Sequence, residues 1–216
     1  MEKYLREPVN GLTHLIGAIL SLIGLIAMLF KLSFDNGTTL QYSAIIAFGI
    51  GSILLYSASA IYHSVITSSK KVLMKLKRLD HSMIFVLIAG SYAPYCLIAL
   101  NNKSGYVLFS AVAIASLVGI IFKLAWVTCP RWLSSTIYIT IGWFAIFAIY
   151  PISKAMPAVG VFLLVLGGVI YTIGGVIYAL KKDKFKIGLF GTHEIFHVFI
   201  MLGTLCHFLS VFIYLI

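Results

Sequence analysis

A chain of 216 residues that is 61% hydrophobic and 10% charged, with a mean hydropathy of +1.06, is not a water-soluble domain, which carries about 25% charged residues. Its apolar runs are continuous rather than alternating, which excludes membrane-spanning strands, and each approaches the roughly 20 residues that a helix needs to cross a bilayer. The net charge of +10 is not read as nucleic-acid binding, because the basic residues fall in short stretches between apolar runs, where they set topology and meet anionic lipid headgroups.

The chain opens on MEKYLREPVN, which is polar and mixed in charge. The apolar run behind it is too long for a signal-peptide core and has no small-residue cleavage site followed by soluble sequence. It is therefore expected to be a retained helix over residues 11–32. Further spans are expected at 40–63, 82–100, 105–123, 133–151, 158–180 and 192–215. Their connections are short except for residues 64–81. The expected fold is all-α: one polytopic membrane domain, 1–216, with seven transmembrane helices.

Charge gives the orientation. Thirteen of the sixteen Lys and Arg residues lie near the N-terminus or in alternate connections: Lys3 and Arg6; Lys70, Lys71, Lys75, Lys77 and Arg78; Lys123 and Arg131; Lys181, Lys182, Lys184 and Lys186. The other connections hold only Lys31, Lys103 and Lys154. The positive-inside rule then puts the N-terminus in the cytoplasm and the C-terminus outside. The alternation requires an odd number of helices, which favours seven over six or eight. This is the topology of a multi-pass protein, expected in the cell membrane.

Within the spans, Gly167, Gly168, Gly174 and Gly175 point to close packing of the sixth helix. Pro94, in GSYAPY, predicts a kink with freed carbonyls in the third. Tyr106, Trp132 and Tyr214 sit at helix ends as interface anchors. Cys96, Cys129 and Cys206 are widely spaced with no CxxC, which argues against a disulfide framework or a cysteine-based zinc module.

Ionisable residues inside membrane segments are costly and usually functional. His193 and His197, in THEIFH, are four apart on one face of the seventh helix and can share a metal. His63 closes the second helix in SAIYH, and Asp80 opens the third in RLDHS. The topology brings all four to the cytoplasmic ends of their helices. Three neutral imidazoles and a water make a tetrahedral catalytic-type zinc site. Asp80 can be a fourth ligand or can orient and deprotonate the water from outside the ligand set. Ser59, one turn before His63, can bond the water or a substrate oxygen, or its own helix backbone. Glu7, Asn10 and His14 share a face entering the first helix and either line the site or cap the helix. His81 is placed among the headgroups, and His207, about 15 Å beyond His197, cannot join the same metal. THEIFH also fits HExxH, with Glu194 as the base of a metalloprotease or as a first-turn carboxylate favoured by the helix dipole.

Together EPVNGLTH, SAIYH, KRLDHS with GSYAP, and GTHEIFH resemble the hemolysin III family, the bacterial branch of the progestin and adipoQ receptor group that includes the adiponectin receptors. The chain is similar more distantly to alkaline ceramidases. The resemblance spans essentially the whole sequence. It implies seven helices and an intramembrane zinc near the cytoplasmic face, bound by His63, His193 and His197, with Asp80 contacting the zinc-bound water and Ser59 nearby. Relatives can carry an uncharged Gln in place of Glu194, which favours Asp80 as the base. The long N-terminal domain of the adiponectin receptors has no counterpart in the resemblance, so receptor function is not expected. Bacterial relatives are linked to haemolysis and to membrane fatty-acid homeostasis. The expected function is a zinc-dependent hydrolase of a lipid amide or ester, its partner a membrane lipid or fatty acid. The alternative is a lipid sensor or regulator with a structural zinc. A pore-forming hemolysin ranks lower, because such a toxin must be soluble before it inserts and no helix carries a continuous polar stripe.

Overall fold

The computed structural model describes residues 5–180 and 191–216. Among the described residues seven helices are long and apolar enough to cross a membrane, and no strand is present. They are α1 (Pro8–Phe34), α2 (Thr39–Ser64), α3 (Lys70–Leu100), α4 (Lys103–Ala125), α5 (Arg131–Ala155), α6 (Ala158–Ala179) and α7 (Thr192–Tyr214). This is the all-α, seven-helix membrane fold expected. The cytoplasmic assignment of the N-terminus rests on charge alone, and Lys3 and the lysines at 181, 182, 184 and 186 lie outside the described residues.

Local chemistry sets the helix ends. Pro8 opens α1 with a preset φ and gives up no intrahelical bond there. Asn36, at φ 52°, turns the chain toward α2. Thr38 and Gln41 then form a reciprocal capping box: the Gln41 N–H donates to Thr38 Oγ1 at 3.3 Å, and the Thr38 N–H donates to Gln41 Oε1 at 2.7 Å. The Ser69 hydroxyl accepts the Val72 N–H at 3.4 Å and starts α3.

That start lies twelve residues before the expected boundary at 82. Hydropathy marks where a helix enters apolar surroundings, not where its hydrogen bonding begins. The turns Lys70–Arg78 are helical, but five cations interrupt their apolar residues. Asp80 therefore sits about three turns into a continuous helix, where it is buried, and not at a helix start.

After Pro94, α3 widens into π-type turns over Tyr95–Leu100 and closes at Asn101, φ 39°. The middle of α5, Trp143–Ala148, is likewise drawn into tighter 3-10 turns. Tyr92 ties the two irregular stretches together. Its hydroxyl donates to the Gly142 carbonyl at 2.6 Å and accepts the Ala145 N–H at 2.7 Å.

The helices close into a ring: α1 packs on α2 and α7, α2 on α3, α3 on α4, α5 on α6, and α6 on α7. Gly167 and Gly174 let α7 approach α6. A Cβ at Gly167 would lie 2.8 Å from His207 Nε2, and one at Gly174 would lie 2.7 Å from Phe199 Cβ. Gly168 departs from the expected packing role. Nothing approaches within 4 Å of its Cβ position, because it borders an internal cavity. Leu15, Ile19, Leu20 and Ile23 are exposed on the outer face of α1, as a bilayer solvent requires.

Two charge placements differ from expectation. Lys123 is not a loop cation but is fully buried, its ammonium group donating to Ser134 Oγ at 2.5 Å and Cys129 Sγ at 3.1 Å. His81 is not at headgroup level either; it is 9% exposed and lines the cavity. All three cysteines are free.

Candidate metal centre

His63 comes from the last turn of α2, and His193 and His197 come from the first two turns of α7. One ligand nitrogen from each ring falls within a mutual distance of 4.8 Å. The Nε2 atoms of His63 and His193 are 3.3 Å apart. Two nitrogens that share a tetrahedral zinc at 2.0–2.1 Å are separated by about 3.3 Å, so this pair already has the required edge. His63 and His197 are buried, each 2% exposed.

Hydrogen bonding around the cluster selects the tautomer. His63 Nδ1 lies 2.6 Å from Glu7 Oε2. A carboxylate can only accept, so Nδ1 carries the proton and Nε2 keeps its lone pair toward the other rings. The contact exists because the segment before α1 runs against the end of α2, where the Glu7 N–H donates to the His63 carbonyl at 2.9 Å. The Asn10 amide donates to Glu7 Oε2 at 3.2 Å and to Glu194 Oε1 at 2.9 Å, which links the first and last helices. Glu194 is thus a bonding partner of Asn10, and it is absent from the cavity lining. His14 stacks on His197, ring centroids 3.6 Å apart.

The donor set fits a metal. Three imidazoles converge without a thiol or carboxylate among them, which is the ligand type that zinc takes in sites that keep an open position. The buried His197 ring is hydrogen-bonded to the Asn10 backbone, the kind of outer contact that orients a ligating imidazole. Asp80 is not part of the mutually close set.

Asp80 and Ser59 instead line a cavity of about 170 Å³, into which His193 and His197 also face. Its other walls are mostly apolar and aromatic, among them Ile84, Leu87, Leu164 and Ile200. The cavity is elongated. On α3 it is bordered by both Asp80 and Cys96, sixteen residues apart, which is about 24 Å of helix. On α7 it reaches from His193 to His207. The buried Ser59 hydroxyl is hydrogen-bonded to the Asp80 carboxyl, which joins the two polar groups of this wall.

Of the residues singled out from sequence, His63, His193 and His197 come together, Asp80 and Ser59 face the adjoining cavity, and Glu7, Asn10 and His14 gather around the rings. The pairing of Glu7 with His63, 56 residues away, had no local signal, nor did the tyrosines that pack on the cluster, Tyr62 at His63 and Tyr178 at His193.

Comparison with known proteins places this chain in a family. The model described as Haemolysin-III related matches residues 2–208. The chain is similar to Hemolysin-3 of Bacillus cereus, 34% identical over 217 aligned positions that cover 100% of this chain and 95% of that protein. It is also similar to the Hemolysin-3 homolog of Bacillus subtilis (strain 168), 33% identical over 208 positions, with coverage of 96% and 93%. A seven-helix membrane chain matched along nearly its whole length in this way belongs to the haemolysin-III family.

Proposed function

We propose that this protein is a zinc-dependent hydrolase of a lipid amide or ester, acting in the cell membrane in lipid and fatty-acid homeostasis. The observation that supports the reading is the meeting of three imidazoles, Asp80 and Ser59 at one end of a long apolar cavity. The cavity suits an acyl chain, and the histidines stand where its carbonyl would lie. His63, His193 and His197 would hold the zinc, at the cytoplasmic side if the charge rule sets the topology.

When bound, zinc supplies Lewis acidity, polarising a carbonyl and making water acidic enough to attack near neutral pH. The chain's own groups do the rest. Glu7 keeps the His63 proton on Nδ1. Asp80, outside the ligand cluster, takes the proton of the attacking water and returns it to the departing nitrogen or oxygen. Ser59 hydrogen-bonds the substrate oxygen, and the apolar walls keep bulk water from the acyl chain. The hemolysin name of the relatives agrees with this reading if lysis follows from lipid damage.

The test is to purify the protein in detergent, quantify zinc, and assay fatty-acid release from ceramide-like and phospholipid substrates. Asp80→Asn should keep zinc and lose about 10²- to 10⁴-fold in rate. Full activity in that variant removes Asp80 as the base. Unchanged zinc in His193→Ala and His197→Ala removes the metal assignment. No release from either substrate by the zinc-loaded protein removes the hydrolase.

A further inference from the structure

Two of the three clustered histidines are each backed by a tyrosine, and each tyrosine by an arginine. Tyr62 packs on His63, ring centroids 4.7 Å apart, and the Arg6 guanidinium carbon lies 4.3 Å from the Tyr62 centroid. Tyr178 packs on His193 at 5.7 Å, and the Arg131 guanidinium carbon lies 5.2 Å from the Tyr178 centroid. His63 and His193, on which the two tyrosines pack, have ring centroids 5.0 Å apart, so the two stacks back one pair of rings. Their parts come from the segment before α1, the end of α2, the start of α5 and the end of α6.

Further cations lie nearby on α3. Lys77, one turn before Asp80, interacts electrostatically with Asp80 and His193. Arg78 Nε and Arg6 Nη2 are buried without a hydrogen-bond partner among the described residues. Arg6 is partly compensated by Glu7, whose Oε1 is 3.2 Å from its Nε, and by a side-chain bond to Tyr62, but Glu7 also serves His63. Topology alone needs only solvated cations, and Lys70, Lys71 and Lys75 are exposed in that way; Arg131 is exposed too but is held against the Tyr178 ring, and Arg6 is half-buried. A guanidinium N–H that is buried without an acceptor is costly and calls for one. Stacking on an aromatic ring fixes the guanidinium plane and leaves its forked edge for a ligand, and that fork matches phosphate.

We infer that Arg6 and Arg131, stacked on Tyr62 and Tyr178, form a headgroup subsite beside the histidine cluster that selects lipids bearing a phosphate headgroup over neutral ones. The inference rests on the reading of the cluster and cavity as a lipid site. It narrows that site's ligands to phospholipids and phosphorylated lipid amides, and it requires no turnover.

Trp143 borders the cavity, whereas Trp126 and Trp132 are exposed on the outer surface. In full-length W126F/W132F protein in maltoside micelles, Trp143 fluorescence is quenched by bromine on the acyl chains of added phosphatidic acid or diacylglycerol. Half-quenching is expected at about tenfold less phosphatidic acid than diacylglycerol, a preference of about 1.4 kcal/mol. R6Q/R131Q should bring that ratio close to one, and where the double variant does not fold, R131Q alone should lower it about threefold. K70Q/K71Q/K75Q, which changes exposed charge only, should leave it in place. Equal quenching by the two lipids, a ratio that survives the arginine substitutions, or a ratio lost with the lysines would each overturn the subsite. Inorganic phosphate at millimolar level should weaken quenching by phosphatidic acid only. If it binds as tightly as the lipid, the ligand is the free ion and the inference fails. Headgroup selectivity without fatty-acid release would sink the hydrolase and leave the subsite standing; release without selectivity would do the reverse.

Discussion

Replacing Glu7 with Gln isolates the contact that prepares His63. The native Glu7 Oε2 to His63 Nδ1 distance is 2.6 Å, a charge-assisted bond. Glu7 precedes α1, and burial on its own would raise its carboxyl pKa. The hydrogen bond from His63, the charge of Arg6 and the Asn10 amide outweigh burial and bring the pKa from an ordinary 4.5 to about 2. The group is therefore an acceptor throughout the working pH range and holds the His63 proton on Nδ1. Gln keeps the length of the side chain but removes the charge, and its amide can turn a donor toward the ring. Loss of such an outer partner costs roughly 10- to 100-fold in metal affinity, or about 1.4 to 2.7 kcal/mol. Zinc titration against a chromophoric chelator in detergent reads this directly. Affinity equal to that of the parent protein would refute the claim that Glu7 prepares the ligand. The pH dependence has a definite sign. Because the folded pKa is depressed, the contact's stabilisation is complete above about pH 4.5 and is lost as pH falls toward about 2. An acid melting series should show that loss in the parent and a smaller one in Glu7→Gln.

Other expectations follow from the packing. His197→Ala should abolish stoichiometric zinc, checked by elemental analysis, because His63 and His193 alone leave two ligands. Gly167→Leu must force α6 from α7, since even a Cβ would meet His207 Nε2 at 2.8 Å and the Gly203 carbonyl at 3.1 Å; a loss of about 1 to 3 kcal/mol in detergent melting is expected, and an unchanged melting temperature would refute the close approach. Lys123→Met removes a buried ammonium whose partners, Ser134 Oγ and Cys129 Sγ, are 3.3 Å apart and can bond each other. Stability should stay within about 1 kcal/mol of the parent, and a drop of several kcal/mol would show that the amine is needed.

The seven helices were legible because bilayer solvation imposes long continuous apolar runs, and those runs survive in the sequence whatever the packing. The cationic start of α3 was not, since five Lys and Arg residues are interleaved with Val72, Leu73, Met74 and Leu76 and break the apolar run. His193 and His197 were legible as a pair because four residues of helix place them together with no tertiary knowledge. Their meeting with His63 needed the topology argument, which gives depth and side but not distance. The Glu7 contact and the Arg–Tyr stacks join residues scattered over the chain, and only packing brings those together. The cavity was illegible for a further reason: a void is defined by what is absent on several helices at once. Gly168, grouped from sequence with its packing neighbours, in fact borders open space.

The bond between Asn10 and Glu194, across 184 residues, has a consequence for the order in which the protein is made. The first two helices emerge early and can already join Glu7 to His63. His193 and His197 emerge last, on the helix that closes the ring between α1 and α6. During synthesis the ligand set stays open until the final segment enters the bilayer. A metal held by the three rings would then act as a latch that only a bundle including α7 can engage. A ribosome-stalled chain ending before α7 should hold the early half of the site and capture no zinc.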